Sequence, residues 1–312
     1  MRGDGDPDIE AFKAQLVQLT ALRTSAPPSV EAQRQAFEQQ HGAVPPAEDC
    51  EVSPIAAGQV RGERITPRGA DTSKALIYHH GGGHMFGSAL SHRHLVSRLA
   101  AAAGVVAFNM DYRLAPEAPY PAGLEDAERA YRYVLGEGFA PEAMIVGGES
   151  AGGNLTAALL LKLRDLGLQQ PAGAYLLSPW LDMSQSGDSY QARAAHDPMI
   201  TQAALQACSV AYRGGAPADD PLISPVKADL AGLPPFFIQV GADEVLLSDS
   251  LEFARRAALA GIDVRLHVWA DMVHAWPLFH FALPVSGLVA IDEAGVWIAH
   301  RLGAAPGSPA CD

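Results

Sequence analysis

The chain has little positive charge. Its 312 residues hold 22 Lys and Arg against 35 Asp and Glu, a formal net charge of −13. No basic cluster stands ready to neutralise phosphates, which excludes a nucleic-acid partner and an anionic membrane surface. Cysteine is scarce as well: Cys50, Cys208 and Cys311 lie far apart and show neither a C-x-x-C pair nor the spacing of a disulfide framework, as expected in a reducing compartment. No apolar run reaches the ~18 residues of a membrane span. The N-terminal stretch MRGDGDPDIE is polar and acidic, not basic then apolar, so no secretory signal and no membrane anchor is expected, and the location expected is cytoplasmic. Internal repeats and low-complexity segments are also missing. What the chain does have is apolar residues, 48% of the total, enough for one sizeable core.

Those apolar residues come in two alternating patterns. Short strand-like runs occur at Ala75–His79, Val105–Tyr112, Met144–Gly147, Gly173–Ser178, Phe236–Val240 and Val264–Trp269. Between and after them, His92–Ala103, Ala122–Leu135, Leu155–Leu166, Ser248–Ala260 and Gly287–His300 carry apolar residues at three- and four-residue steps. This alternation predicts an α/β fold with a mostly parallel, doubly wound sheet. Two regions stand outside it: the N-terminus, where Ile9–Leu22 and Val30–Gln40 read as helices separated by Pro27-Pro28, and roughly residues 184–220, where Thr201 is placed to cap a helix running to Arg213.

The most informative stretch is Met144–Asn154, MIVGGESAGGN. A short apolar run, then Gly148-Glu149-Ser150-Ala151-Gly152, then an alanine- and leucine-rich helical run, reads as a nucleophile elbow with Ser150 at its tip. A serine forced into a sharp strand-to-helix turn needs neighbours without bulky side chains two positions away on each side, and Gly148 and Gly152 meet that need. Upstream, the run ending at His79 leads into His80-Gly81-Gly82-Gly83. Three glycines let backbone N–H groups turn toward a ligand unobstructed, as an oxyanion hole requires. A metal-binding His79-His80 pair is the competing reading, but no further ligands follow at helical spacing.

On a doubly wound sheet bearing such an elbow, the acid and then the base follow the serine in the chain. The run Pro235–Val240 delivers Gly241-Ala242-Asp243 to the carboxyl edge of the sheet, so Asp243 is the expected acid. Asp249 is its competitor, although its place at the start of a helical pattern explains it by helix charge. The loop leaving Val264–Trp269 supplies His274 as the expected base. His267 lies inside the strand pattern and His280 in an apolar stretch, where structural roles are expected. His84, His92, His94 and His196 precede the acid, and chain order disfavours them.

Taken together, His80–Gly83, Asp111-Tyr-Arg-Leu-Ala-Pro-Glu117, the GESAGGN elbow, Asp243 and His274 form an ordered motif set from about Ala75 to Trp276. In this set the chain resembles the bacterial hormone-sensitive-lipase-like carboxylesterases of the α/β-hydrolase superfamily. The resemblance implies an oxyanion hole at Gly81, Gly82 and Ala151, and a helical cap made of residues 1–45 and 184–220 over a catalytic domain of 46–183 and 221–312. It further implies no metal or organic cofactor, a small-molecule ester as partner, and a homodimer paired through the outer strand and last helix. Arg113 and Glu117 are expected to form pairs that brace the glycine loop. Met85, Phe86, Trp180, Leu181, Met199, Tyr212, Val245, Leu246 and Trp276 flank motif loops or cap segments and are candidate pocket walls.

Two departures from the family pattern stand out. Glu149 replaces an Asp or Thr, and Asp271 replaces a Gly, which would add negative charge beside the base and favour its protonated form. The function implied is hydrolysis of short- to medium-chain carboxylic esters through a Ser-His-Asp triad and an acyl-enzyme. The stretch from His274 to His280 resembles chains described as lactone hydrolases. An arylformamidase or amidase would use the same triad, and a non-catalytic ligand-binding relative would lack part of it.

Overall fold

A computed structural model describes residue 6, residues 8–25 and residues 28–307. Cys311 and Pro27 lie outside the described residues. Two helices, α1 (Ile9–Ser25) and α2 (Val30–His41), open the chain and are followed by the strands β1 (Cys50–Ala57), β2 (Val60–Pro67) and β3 (Asp71–His79). Then come α3 (Ala89–Ala103), β4 (Val105–Met110), α4 (Ala122–Gly136), β5 (Met144–Glu149), α5 (Ala151–Asp165) and β6 (Gly173–Leu177). The last third holds α6 (Ser189–Ala192), α7 (Gln202–Arg213), β7 (Phe236–Gly241), α8 (Leu247–Leu259), β8 (Val264–Trp269) and α9 (Pro284–Leu302).

The strands form one sheet of eight in the order β1-β2-β4-β3-β5-β6-β7-β8. From β4 through β8 every pairing is parallel, while β2 runs antiparallel to both β1 and β4. The fold is the expected α/β-hydrolase arrangement, with two strands more than the sequence pattern shows. Both missing strands sit at one edge, where β1 reads CEVSPIAA and is largely exposed. In β2, VRGERITP, the adjacent Gly62 and Glu63 are both buried, so neither strand shows the clear apolar alternation of a half-buried strand.

The inner strands β4, β5, β6 and β7 are buried along their whole length, as a sheet covered on both faces demands. One face packs on α3 and α9 around Leu99, Ile291, Ile298 and Trp269. The other packs on α4, α5 and α8 in two adjoining clusters around Tyr131 and Leu159 and around Phe253 and Ile238. Strands of one direction end together, so the loops after β3, β5, β7 and β8 meet along one carboxyl edge.

Over that edge lie the two irregular regions. The α1 helix uses Phe12 against Phe279 (ring centroids 5.4 Å apart) and buries Leu16, while Leu22, part of its expected apolar face, is exposed. Thr20 Oγ1 donates to Pro198 O at 2.8 Å, joining the first helix to the segment before α7. Thr201 caps α7 by accepting from Ala204 N at 3.1 Å, as its place in the sequence predicts. Among the described residues, no helix is long and apolar enough to cross a membrane.

Candidate active site

Ser150 stands between the end of β5 and the start of α5 with φ 56° and ψ −121°. A non-glycine residue with positive φ is strained and persists only where its surroundings hold it. Its own N–H donates to Leu177 O at 2.9 Å and its carbonyl accepts from Trp180 N at 3.0 Å, so the neighbouring β6 loop clamps the turn on both sides. The hydroxyl does not cap α5 and is partly exposed, left available for chemistry.

Gly148 and Gly152 explain the elbow's spacing. A Cβ at Gly148 would fall 2.5 Å from Gly152 O, and one at Gly152 only 2.0 Å from His79 O. The helix therefore approaches the end of β3 closely enough that only hydrogen fits. Gly152→Ala is expected to destabilise the fold by at least about 1–3 kcal/mol, read as a lowered Tm by calorimetry with activity lost in parallel.

His274 sits in the loop after β8, buried. Its Nδ1 lies 2.8 Å from Oε2 of Glu244, a fully buried carboxylate. The other oxygen of Glu244 accepts from Ser178 Oγ at 2.6 Å and from Gly241 N at 2.5 Å, and Ser178 Oγ in turn accepts from Ala275 N at 3.1 Å. Thus Ser178, itself at φ 45° after β6, ties the acid's loop to the base's loop. Burial opposes the charged imidazole, but the hydrogen bond and charge of Glu244, with smaller contributions from Asp197 and Glu149, hold His274 above its ordinary value. Burial raises Glu244 above the usual carboxylate range despite the bonds it accepts.

The carboxylate facing His274 is therefore Glu244, a correction to the expectation of Asp243. The loop leaving β7 turns so that consecutive side chains diverge. Asp243 points outward, where it accepts from Lys13 Nζ of α1 at 2.9 Å. Asp249 is no alternative either: its Oδ2 accepts from Leu181 N and Asp182 N at 2.7 and 2.8 Å, pinning the loop after β6. Nor is Asp271 among the charges acting on the imidazole; Asp197 takes that place, a buried residue between α6 and α7 accepting from Met199, Ile200 and Val245 N–H groups. No local motif marks Asp197 in the sequence. Glu244 did leave a signal, since Val245 and Leu246 directly after it are apolar and wholly buried.

The glycine loop also departs from expectation. The Gly81 N–H is taken by Glu149 Oε1, so it cannot serve an incoming oxyanion. By contrast, the N–H groups of Gly82, Gly83 and Ala151 meet no protein acceptor among the described residues. Gly82 and Gly83 take φ of 104° and 61° and are partly exposed beside Met85 and Phe86. The loop is held from below by Tyr112, whose hydroxyl donates to His80 O at 2.7 Å.

Arg34 of α2 holds the loop from above. Its guanidinium donates to Met85 O at 2.7 Å, Ala115 O at 2.9 Å and Glu117 Oε2 at 2.7 Å. Glu117 thus pairs with the arginine that holds the loop, whereas Arg113, against expectation, turns away to Asp126 and Glu125 of α4.

His79 and His80 do not act as a pair. His79 Nδ1 faces Thr156 Oγ1 at 3.1 Å while His80 Nδ1 faces Gly81 O at 2.8 Å. Burial lowers them to about 3 and about 4 respectively. His267 is held by Glu293 and His280 faces His94, so both occupy structural positions. His84 stacks on Tyr212 with ring centroids 3.7 Å apart, and burial brings it to about 3.

Of the nine expected pocket residues, Trp180, Tyr212, Val245 and Leu246 gather in one apolar cluster with Met85 packed against it, below α7. Phe86 is partly exposed beside them, against Phe37, and Met199 packs on the large core cluster. Leu181 and Trp276 are corrections. Leu181 is buried with Phe253 in the core below the sheet, and Trp276 is buried against Trp269 with its Nε1 donating to Ser286 O.

Comparison with known proteins gives the same fold. Residues 76–278 match the model of a family described by its α/β hydrolase fold. The crystal structure of EstE5 soaked with p-nitrophenyl butyrate superposes with a TM-score of 0.90 at 38% identity, covering 96% of this chain and 99% of that one. An esterase from the bacterial hormone-sensitive lipase family superposes with a TM-score of 0.88 at 38% identity, covering 93% and 98%. The chain belongs to that family. An acetyl-hydrolase of Streptomyces hygroscopicus is 40% identical over 244 residues, 78% of this chain and 81% of its own length. An esterase of Acinetobacter venetianus is 35% identical over 246 residues, 78% and 80%. This member of the hormone-sensitive-lipase-like family is accordingly an esterase.

Proposed function

We propose that the protein hydrolyses short- to medium-chain carboxylic esters through Ser150, His274 and Glu244 by way of an acyl-enzyme. The observation that carries this reading is the 2.8 Å contact between His274 Nδ1 and buried Glu244, on the same sheet edge as the strained Ser150. With Nδ1 held by the carboxylate, Nε2 is the nitrogen free to take the Ser150 proton. Ser150 attacks the ester carbonyl, and the N–H groups of Gly82, Gly83 and Ala151 receive the tetrahedral oxyanion. His274 then returns the proton to the departing alcohol, and water releases the acid by the same steps in reverse. Glu244 fixes the ring and offsets the imidazolium charge, as the buried acid of a triad does.

The short-acyl preference rests on the relative named an acetyl-hydrolase and the one soaked with a butyrate ester. Lactones gain no support from the stretch after His274, since Trp276, Leu278 and Phe279 are buried in the core. The test is hydrolysis of p-nitrophenyl esters from acetate to palmitate beside a lactone series. Rates highest at short chains and absent for palmitate are expected; a maximum at palmitate, or lactones cleaved faster than any open ester, would overturn the substrate assignment.

The pH dependence follows from His274. The base works only when neutral, and its pKa is raised above the ordinary 6.5. Activity is therefore lost as pH falls through that raised value, and kcat/KM should show an acidic limb with its midpoint above 6.5. A pH–rate profile with the midpoint below that value would contradict the buried Glu244 contact as drawn.

A further inference from the structure

Glu149 precedes the nucleophile, yet its carboxylate is hydrogen-bonded to neither Ser150 nor His274. It is 1% exposed, and its Oε1 both accepts the Gly81 N–H and lies 2.7 Å from His92 Nε2. A Cβ on Gly81 would stand 2.6 Å from that oxygen, so glycine is what lets the carboxylate close on the loop. On the opposite side of the His92 ring, Nδ1 lies 3.1 Å from Ser88 O, a carbonyl that can only accept, and 3.1 Å from the Ser91 hydroxyl, which can donate or accept. Nε2 thus faces the Glu149 carboxylate and Nδ1 has an acceptor in Ser88 O, so the pocket accommodates a proton on each nitrogen. The Glu149 carboxylate favours the charged form of His92, and the two make a buried acid–imidazole pair beside the glycine loop.

The geometry points to Glu149 and His92 as a positioning pair for the oxyanion hole: Glu149 draws the Gly81 N–H inward so that the next two amides face the reaction, and His92 cancels the charge that would oppose the oxyanion. This rests on the esterase reading above. The two tasks are separable in chemistry. Holding the loop needs an acceptor at the end of residue 149, which a carboxylate or an amide supplies. Cancelling charge needs His92 only while residue 149 is ionised. Besides His92, the one group among the described residues facing Glu149 that is held toward a positive charge is His274, the base itself. The groups facing Glu149 are Tyr78, His79 and His80 from β3 and its loop, Tyr112 after β4, Tyr175 on β6 and His274. Burial keeps His79 and His80 neutral. The pair's directions agree: burial lowers His92, but Glu149 more than offsets it and leaves it raised, while Glu149 stays lowered against its own burial.

The experiment is the rate at which a p-nitrophenyl alkylphosphonate modifies Ser150, which needs the oxyanion hole but no natural substrate, measured on folded variants matched by Tm. Glu149→Gln keeps an acceptor and should react within about fivefold of native. Glu149→Met removes it and should be slower by about 10²-fold, the usual cost of a misplaced oxyanion donor. His92→Gln strands a buried carboxylate and should be similarly slow, whereas His92→Gln with Glu149→Gln should recover to within about tenfold of native. In Glu149→Gln the acidic limb of the pH profile should move down, because the Glu149 charge helps hold the proton on His274, alongside Glu244 and Asp197. If the double variant is no faster than His92→Gln alone, or Glu149→Met reacts at the native rate, the pairing is overturned while the esterase reading stands. If Ser150 is inert in the native protein, both fall.

Discussion

Glu244→Gln is expected to lower kcat on a p-nitrophenyl ester by about 10⁴-fold, while Asp243→Asn stays within about fivefold of native. The first figure is the usual result of making a buried triad acid an amide: the ring keeps its place but carries its proton on the wrong nitrogen, and the imidazolium loses its counter-charge. Here the effect is concentrated, because Glu244 is the only carboxylate within hydrogen-bond reach of His274 among the described residues, and its second oxygen is already committed to Ser178 and Gly241. Asp243 lies on the outer side of the same loop against Lys13, a pair with both side chains partly exposed. Such pairs contribute at most about 1 kcal/mol. Steady-state kinetics on both variants decide the matter, and the reverse ranking would return the acid's role to Asp243.

Ser150→Ala is expected to reduce turnover by about 10⁴-fold or more, with KM and Tm close to native. Losing the hydroxyl removes the atom to be acylated, so the oxyanion donors and the pocket are left to assist only direct attack by water. The fold should not notice, because the Ser150 hydroxyl does not cap α5 and alanine meets the same positive φ at the same cost. A variant that kept most of its activity with a native Tm would show that the reaction does not pass through this serine.

How much of this the sequence foretold depends on how local the cause is. The elbow was legible because its physics is contained in five residues: Gly148 and Gly152 are needed by contacts with each other and with the end of β3. His274 was legible by chain order and by its place in a strand-exit loop. The acid was misread by one position. Two adjacent acidic residues satisfy the same order rule, and which one turns inward is settled by the pitch of the loop and by Lys13, 230 residues away.

Gly81 was misread for a related reason. Its N–H is claimed by a side chain 68 residues further along, and the longer reach of Glu149 has no signature within the glycine motif itself. The hairpin of β1 and β2 was missed because β1 is largely exposed and β2 buries Gly62 and Glu63 side by side, so neither carries the period-two apolar pattern. Asp197 was invisible because its three backbone donors include Val245, brought to it only by the fold. In each case the missing information was a tertiary contact.

The central claim, that Ser150 forms the covalent intermediate with His274 and Glu244 behind it, is tested most directly by peptide mass mapping after reaction with a p-nitrophenyl alkylphosphonate. The account predicts one adduct per chain, on the peptide containing Ser150, none in Ser150→Ala, and strongly slowed formation in Glu244→Gln but not in Asp243→Asn. An adduct on another residue, or labelling of Ser150 that is indifferent to Glu244, would contradict it.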